Sequence, residues 1–163
     1  MKNSEKLWKH FPQCVKIFDI CAKGQNIGCD KMKYDFNKCG ISEGIEFCSI
    51  SAEGFKSSCI SVNFVLPLGE KASLYALVPN VLTRSSEKYP DLASIERKLA
   101  NLYGADLIVD VSKVGENQIL KLEVSCIDDR FALENEVISA ECSKLLFELI
   151  FNPNVENSAF SQN

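Results

Sequence analysis

The stretch whose reading decides the fold runs Ala76-Leu-Val-Pro-Asn-Val-Leu-Thr-Arg-Ser-Ser-Glu-Lys-Tyr-Pro-Asp-Leu-Ala-Ser-Ile-Glu-Arg-Lys-Leu-Ala-Asn-Leu-Tyr103. Its first part completes a helix predicted over Glu70 to Thr83, with Leu74, Leu77, Val78, Val81 and Leu82 as the apolar stripe. Pro79 removes one backbone donor and crowds the carbonyl of Tyr75, so a kink or restart is expected there. A second helix begins at Pro90 or Asp91, where Pro suits the first turn and Asp the positive helix end. Its apolar face is Leu92, Ile95, Leu99 and Leu102, and Gly104 is placed to cap it in the left-handed region.

Strands flank this helix pair. Ile45 to Ile50 alternates, and Cys59 to Leu66 sets Ile60, Val62, Phe64 and Leu66 against Ser61 and Asn63, with a hairpin turn expected over Gly54 to Ser58. Downstream, Asp106 to Lys113 and Gln118 to Cys126 form a second hairpin around Gly115 to Asn117. A long helix is predicted over Ala132 to Phe151, its surface including Leu133, Val137, Ile138, Leu145, Leu146, Leu149 and Ile150, and Asn152-Pro153 stops it. The order β-β-α-α-β-β-α predicts an α+β fold, a mostly antiparallel sheet with helices packed on one face.

The chain has 163 residues, 46% of them hydrophobic and 25% charged, which is enough for one domain with a real core. Residues 1–40 hold eight lysines against four acids, whereas residues 41–163 hold ten basic residues against eighteen acidic ones. The acidic part argues against binding a phosphate backbone, and the basic part reads as a poorly ordered, Cys-containing leader over 1–40. Met32 precedes the first clean alternation, so residues 1–31 read as a leader or an over-extended gene start. No apolar run approaches the roughly 18 to 20 residues of a membrane span, and the first residues carry no signal-peptide pattern, so a cytoplasmic location is expected.

Eight cysteines stand at 14, 21, 29, 39, 48, 59, 126 and 142, none at the spacing of a zinc knuckle or redox motif. They read as reduced thiols, with Cys126 and Cys142 acting as small core hydrophobes, and a metal-binding cluster of Cys14, Cys21, Cys29 and Cys39 as the alternative. His10 is the single histidine and lies in the leader beside Trp8 and Phe11. Ser57-Ser58 and Ser85-Ser86 therefore lack the base of a Ser-His nucleophile, and Gly24 and Gly28 fit neither dinucleotide nor Walker spacing. Asp128 and Asp129 read as a helix N-cap with a solvated neighbour, ahead of a carboxylate pair for acid–base work.

The element order, with Leu77-Val78-Pro79-Asn80-Val81-Leu82, Tyr89-Pro90, Leu102-Tyr103-Gly104-Ala105 and Asn152-Pro153, resembles the insulinase (pitrilysin-type) metallopeptidase superfamily over residues 41–163. It looks most like the bacterial branch of non-peptidase homologues without the inverted zinc motif, some of them named for association with modification of elongation factor P. The resemblance implies that 41–163 is a partial insulinase-like domain. In active members the first helix carries H-x-x-E-H, two imidazoles on zinc and a glutamate base on the bound water, with a more distant glutamate as third ligand. Aligned on Arg84 to Pro90, the motif falls on Ala76, Leu77, Val78, Pro79 and Asn80. Ala76 and Pro79 have no donor and Asn80 offers a neutral amide, so zinc is expected to be absent and no residue to be catalytic. The third ligand is expected beyond Asn163.

The resemblance thus implies a non-catalytic subunit or peptide-binding scaffold beside a zinc-bearing insulinase-family partner, with a peptide ligand and neither nucleic acid nor membrane as partner. An edge strand suits such a ligand because backbone pairing needs no metal, and Gly54 to Phe64 is the expected edge. The alternative is the amino-terminal part of a zinc metalloendopeptidase whose active residues lie downstream or in a partner chain.

Overall fold

Alternation along Ser57–Pro67 turns Ile60, Val62, Phe64 and Leu66 to one side, and Leu120, Leu122, Val124 and Cys126 of Asn117–Ile127 meet them there. These two long strands are the centre of the structure, a computed structural model that describes residues 15–20, 34–52, 55–156 and 159–160. In chain order the elements are β1 (Val15–Ile20), β2 (Tyr34–Ser42), β3 (Ile45–Ala52), β4 (Ser57–Pro67), α1 (Ala72–Leu82), α2 (Leu92–Asn101), β5 (Asp106–Val114), β6 (Asn117–Ile127), a 3-10 turn (Asp129–Phe131), α3 (Ile138–Phe151), β7 (Val155–Glu156) and β8 (Ala159–Phe160).

Six strands form one sheet in the order β2-β3-β1-β4-β6-β5, antiparallel throughout except for the β1–β3 pair, and β7 and β8 make a separate two-stranded ladder. The α+β class expected from the sequence is the observed one. The helices lie on one face, where Leu82 of α1, Ile95 and Leu99 of α2, and Ile138, Leu145, Leu146, Leu149 and Ile150 of α3 close over the apolar rows of β4 and β6. Each fully buried aliphatic side chain there stabilises the fold by roughly 1.5–3 kcal/mol. Cys126 and Cys142 join this core as free thiols.

Several expectations change. The hairpin expected around Gly54 to Ser58 is not formed, because β1 lies between β3 and β4, parallel to the first and antiparallel to the second. The sequence reading assigned no strand to Val15–Ile20, taking it as leader, although Val-Lys-Ile-Phe-Asp-Ile is rich in β-branched and aromatic residues; what the sequence does not carry is the choice of β3 and β4 as its partners. The last helix begins at Ile138, six residues later than expected; Asn135 sits in the left-handed region (φ 54°), and Leu133 is 85% exposed. Helix α1 runs through Pro79 with no restart, and the proline is buried. Cys14, Cys21, Cys29, His10, Trp8 and Gly54 lie outside the described residues.

The opposite face of the central strands is polar and also buried. Asn63 donates to Ser61 Oγ at 3.1 Å, and across the ladder Lys121 is ion-paired with Glu123, whose side chain is almost completely buried. A buried carboxylate survives only with such partners, because desolvation costs several kcal/mol per ion.

Candidate functional site

Helix α1 lies across β5 and β6, at the side of the sheet where β5 is an edge among the described strands. Its side chains divide by the helical period. Pro79 and Leu82 are buried and Tyr75 and Val78 pack against the core, whereas Leu74 and Leu77 are 61% and 59% exposed. The expected apolar stripe was therefore drawn too wide. Because α1 is apolar almost all round, period alone does not say which side faces the sheet.

The motif positions separate accordingly. Ala76 is half-buried, Pro79 faces the core, and Asn80 is exposed, its backbone carbonyl accepting the Thr83 hydroxyl at 3.2 Å. A zinc ion needs charged or imidazole donors that converge from this helix turn. A methyl group, a pyrrolidine ring and a neutral amide do not supply them, so these residues do not fit the metal. Among the described residues no three His, Cys, Asp or Glu side chains gather as a metal site.

The edge strand beside α1 carries the geometry that suits an extended ligand. The two-residue turn Gly115-Glu116 closes on Val114 and Asn117, with Gly115 at φ 61°. Hydrogen-bonded pairs then recur at Ser112–Ile119 and Asp110–Lys121, so Leu107, Val109, Val111 and Lys113 turn their N–H and C=O groups away from β6. The expected edge at Gly54 to Phe64 is corrected by this topology: Ser57 to Phe64 belongs to β4, which pairs on both sides.

The link between α1 and α2 is held to α3 by one carboxylate. Glu148 Oε1 accepts the Ser86 hydroxyl at 3.3 Å and the Lys88 amide at 3.2 Å, while Oε2 accepts Asn152 Nδ2 at 2.7 Å. The Glu87 amide donates to the Asn152 carbonyl at 2.9 Å, beside an isolated Ser86–Pro153 bridge. The fully buried Ser86 was read from sequence only as a serine without a base; its role here is to tie that loop down.

Asp128 and Asp129 are both caps. Asp128 accepts the Arg130 amide at 3.0 Å and Arg130 Nε at 2.8 Å, and the Arg130 side chain holds its carboxyl below the ordinary range. Asp129 reaches ten residues ahead to accept Ser139 N at 2.8 Å and Ser139 Oγ at 2.6 Å in the first turn of α3. Neither is a solvated neighbour, and neither is arranged as half of a reacting pair. The signal for Asp129 was the serine just inside the next helix, which local reading did not connect with it.

No protein-family profile matches the chain. By similarity it resembles a class of metalloprotease-like proteins regarded as inactive. The relative that places it there is the probable inactive metalloprotease YmfF of Bacillus subtilis (strain 168), 27% identical over 112 residues, which are 68% of this chain and 26% of the relative. A solved crystal structure of a conserved protein from Enterococcus faecalis V583 matches with a TM-score of 0.73 and 26% identity, over 77% of this chain and 30% of that one. This chain thus spans about a quarter of the length of YmfF and under a third of that solved chain.

Proposed function

We propose that this chain is a catalytically inactive, insulinase-type metallopeptidase-like protein that serves as a non-catalytic subunit or peptide-binding scaffold beside a zinc-bearing partner in the cytoplasm. The feature that carries the reading is helix α1, where the resemblance aligns Ala76, Pro79 and Asn80 with the zinc ligands and the base, and none of the three offers a charged or imidazole donor. Similarity to a protein named as an inactive metalloprotease supports it, and it weighs against an active endopeptidase as the alternative. The proposed ligand surface is the outward edge of β5, with the exposed Leu74 and Leu77 of α1 beside it as an apolar docking face.

A proline at an outward-facing edge position removes a donor without touching the ladder to β6. Val111→Pro is therefore expected to weaken binding of an unfolded, protease-resistant peptide at least ten-fold, measured by fluorescence anisotropy, while the melting temperature moves little. Cleavage of an unfolded peptide is expected only when a zinc-bearing partner is added. Equal peptide affinity in the variant would remove β5 as the site, and chelator-sensitive cleavage by the isolated chain would remove the scaffold reading.

A further inference from the structure

A recess lies away from β5, between α2, the loop before it and α3. It is a cleft of about 450 Å³ whose lining includes Lys88, Lys98, Lys144, Tyr89, Phe147 and Phe151. Three of the ten basic residues in the acidic part of the chain converge here. Glu141 is gripped between two of them, with Lys98 Nζ at 2.9 Å from Oε2 and Lys144 Nζ at 2.8 Å from Oε1. The second acid in the lining, Glu148, already accepts hydrogen bonds from Ser86, Lys88 N and Asn152.

Donor capacity is therefore in excess. Each ammonium has three N–H donors, and Lys98 and Lys144 each give one to Glu141. The Lys88 ammonium stands 5.5 Å from the centre of the Tyr89 ring, at the same mouth. The wall beside these cations is apolar: Phe147 and Phe151 stack with centroids 5.9 Å apart and planes at 25°, and Phe151 is half exposed. Cations with spare donors beside an exposed aromatic stack suit a ligand that carries a carboxylate next to a bulky apolar group.

We infer that the cleft between α2 and α3 is a docking site for an acidic peptide segment, one that places aspartate or glutamate beside an aromatic or branched side chain. The carboxylates bridge Lys88 and Lys144 at the rim, and the apolar residue covers the Phe147–Phe151 stack. This site is separate from the β5 edge and does not depend on it. Charge complementarity selects the occupant, because a basic segment would meet three ammonium groups, and both carboxylates in the lining are already engaged.

The test uses an end-blocked, fluorescein-labelled octapeptide alternating glutamate with leucine and phenylalanine, and its lysine-for-glutamate counterpart, titrated at low salt against the full chain. The acidic probe is expected to bind and the basic one not. Lys88→Glu combined with Lys144→Glu, both at exposed positions, is expected to raise the dissociation constant ten-fold or more. Phe151→Ala is expected to raise it several-fold. Reversing Lys56 and Lys71, both exposed, in the same way changes the net charge equally but lies outside both surfaces, so it should have little effect. Absence of binding by the acidic probe, equal binding of both probes, or equal losses from the two double reversals would overturn the assignment.

Discussion

At the scale of single residues, two paired carboxylates, Glu123 and Glu141, carry opposite lessons. Lys121 and Glu123 share a buried face, so removing the lysine leaves a carboxylate that has lost a charged partner in a place with little water. Lys121→Met is expected to destabilise the protein by up to about 3 kcal/mol in urea unfolding, and adding Glu123→Leu to recover much of that loss. A double variant no more stable than the single would show that the pair is not what the buried carboxylate depends on.

Glu141 behaves differently. Lys144, and after it Lys98, hold its carboxyl down to about 2, yet its side chain is 40% exposed and solvent screens the gain. Its folded-state pKa is depressed, so the stabilisation is complete above about 4.5 and disappears as pH falls from there toward about 2. Glu141→Gln should cost under about 1 kcal/mol at neutral pH, with the difference from the parent vanishing in that acid window. A difference that persists at pH 2 would contradict this account.

At the scale of elements, the local signals were the legible ones. Asp91 was legible as an acid at the positive helix end; it is the N-cap, with Pro90 just outside the helix, and the bond it makes, from Ser94 N at 2.7 Å, lies three residues away. Gly104 was readable because a helix end wants a left-handed residue; Tyr103 and Gly104 both adopt that conformation, at φ 59° and 72°. The start of α3 was not legible, because it depends on Asp129 reaching across a ten-residue excursion to Ser139. The exposed Leu133 and Val137 continue the helical pattern of the sequence without being helical. Asp91→Ala and Asp129→Ala are each expected to cost about 1 kcal/mol in thermal unfolding. Slowed amide exchange in the first turn of α3 should be lost only in the second. Equal exchange in both variants would mean that Asp129 does not hold that helix end.

At the scale of the whole molecule, the antiparallel hairpin and the helix layer followed from alternation and period, while the sheet order did not. The placement of β1 between β3 and β4 is a long-range choice, and it turned an expected edge into the middle of the sheet. At the positions the resemblance aligns with the zinc motif, the sequence supplies only the residue types, Ala76, Pro79 and Asn80, whatever the packing. Their surroundings were not legible, since α1 is apolar on nearly every side and only the fold tells the buried Pro79 from the exposed Leu77.

The central claim is that helix α1 and the described residues around it supply no ligand set for zinc, and the metal content of the purified chain, with Cys14, Cys21 and Cys29 replaced by serine, tests it most directly. After expression with added zinc and exhaustive dialysis, elemental analysis should find well under one zinc atom per chain, with no change in melting temperature on adding a chelator. One zinc per chain, retained through dialysis and lost together with stability when the chelator is added, would contradict the account.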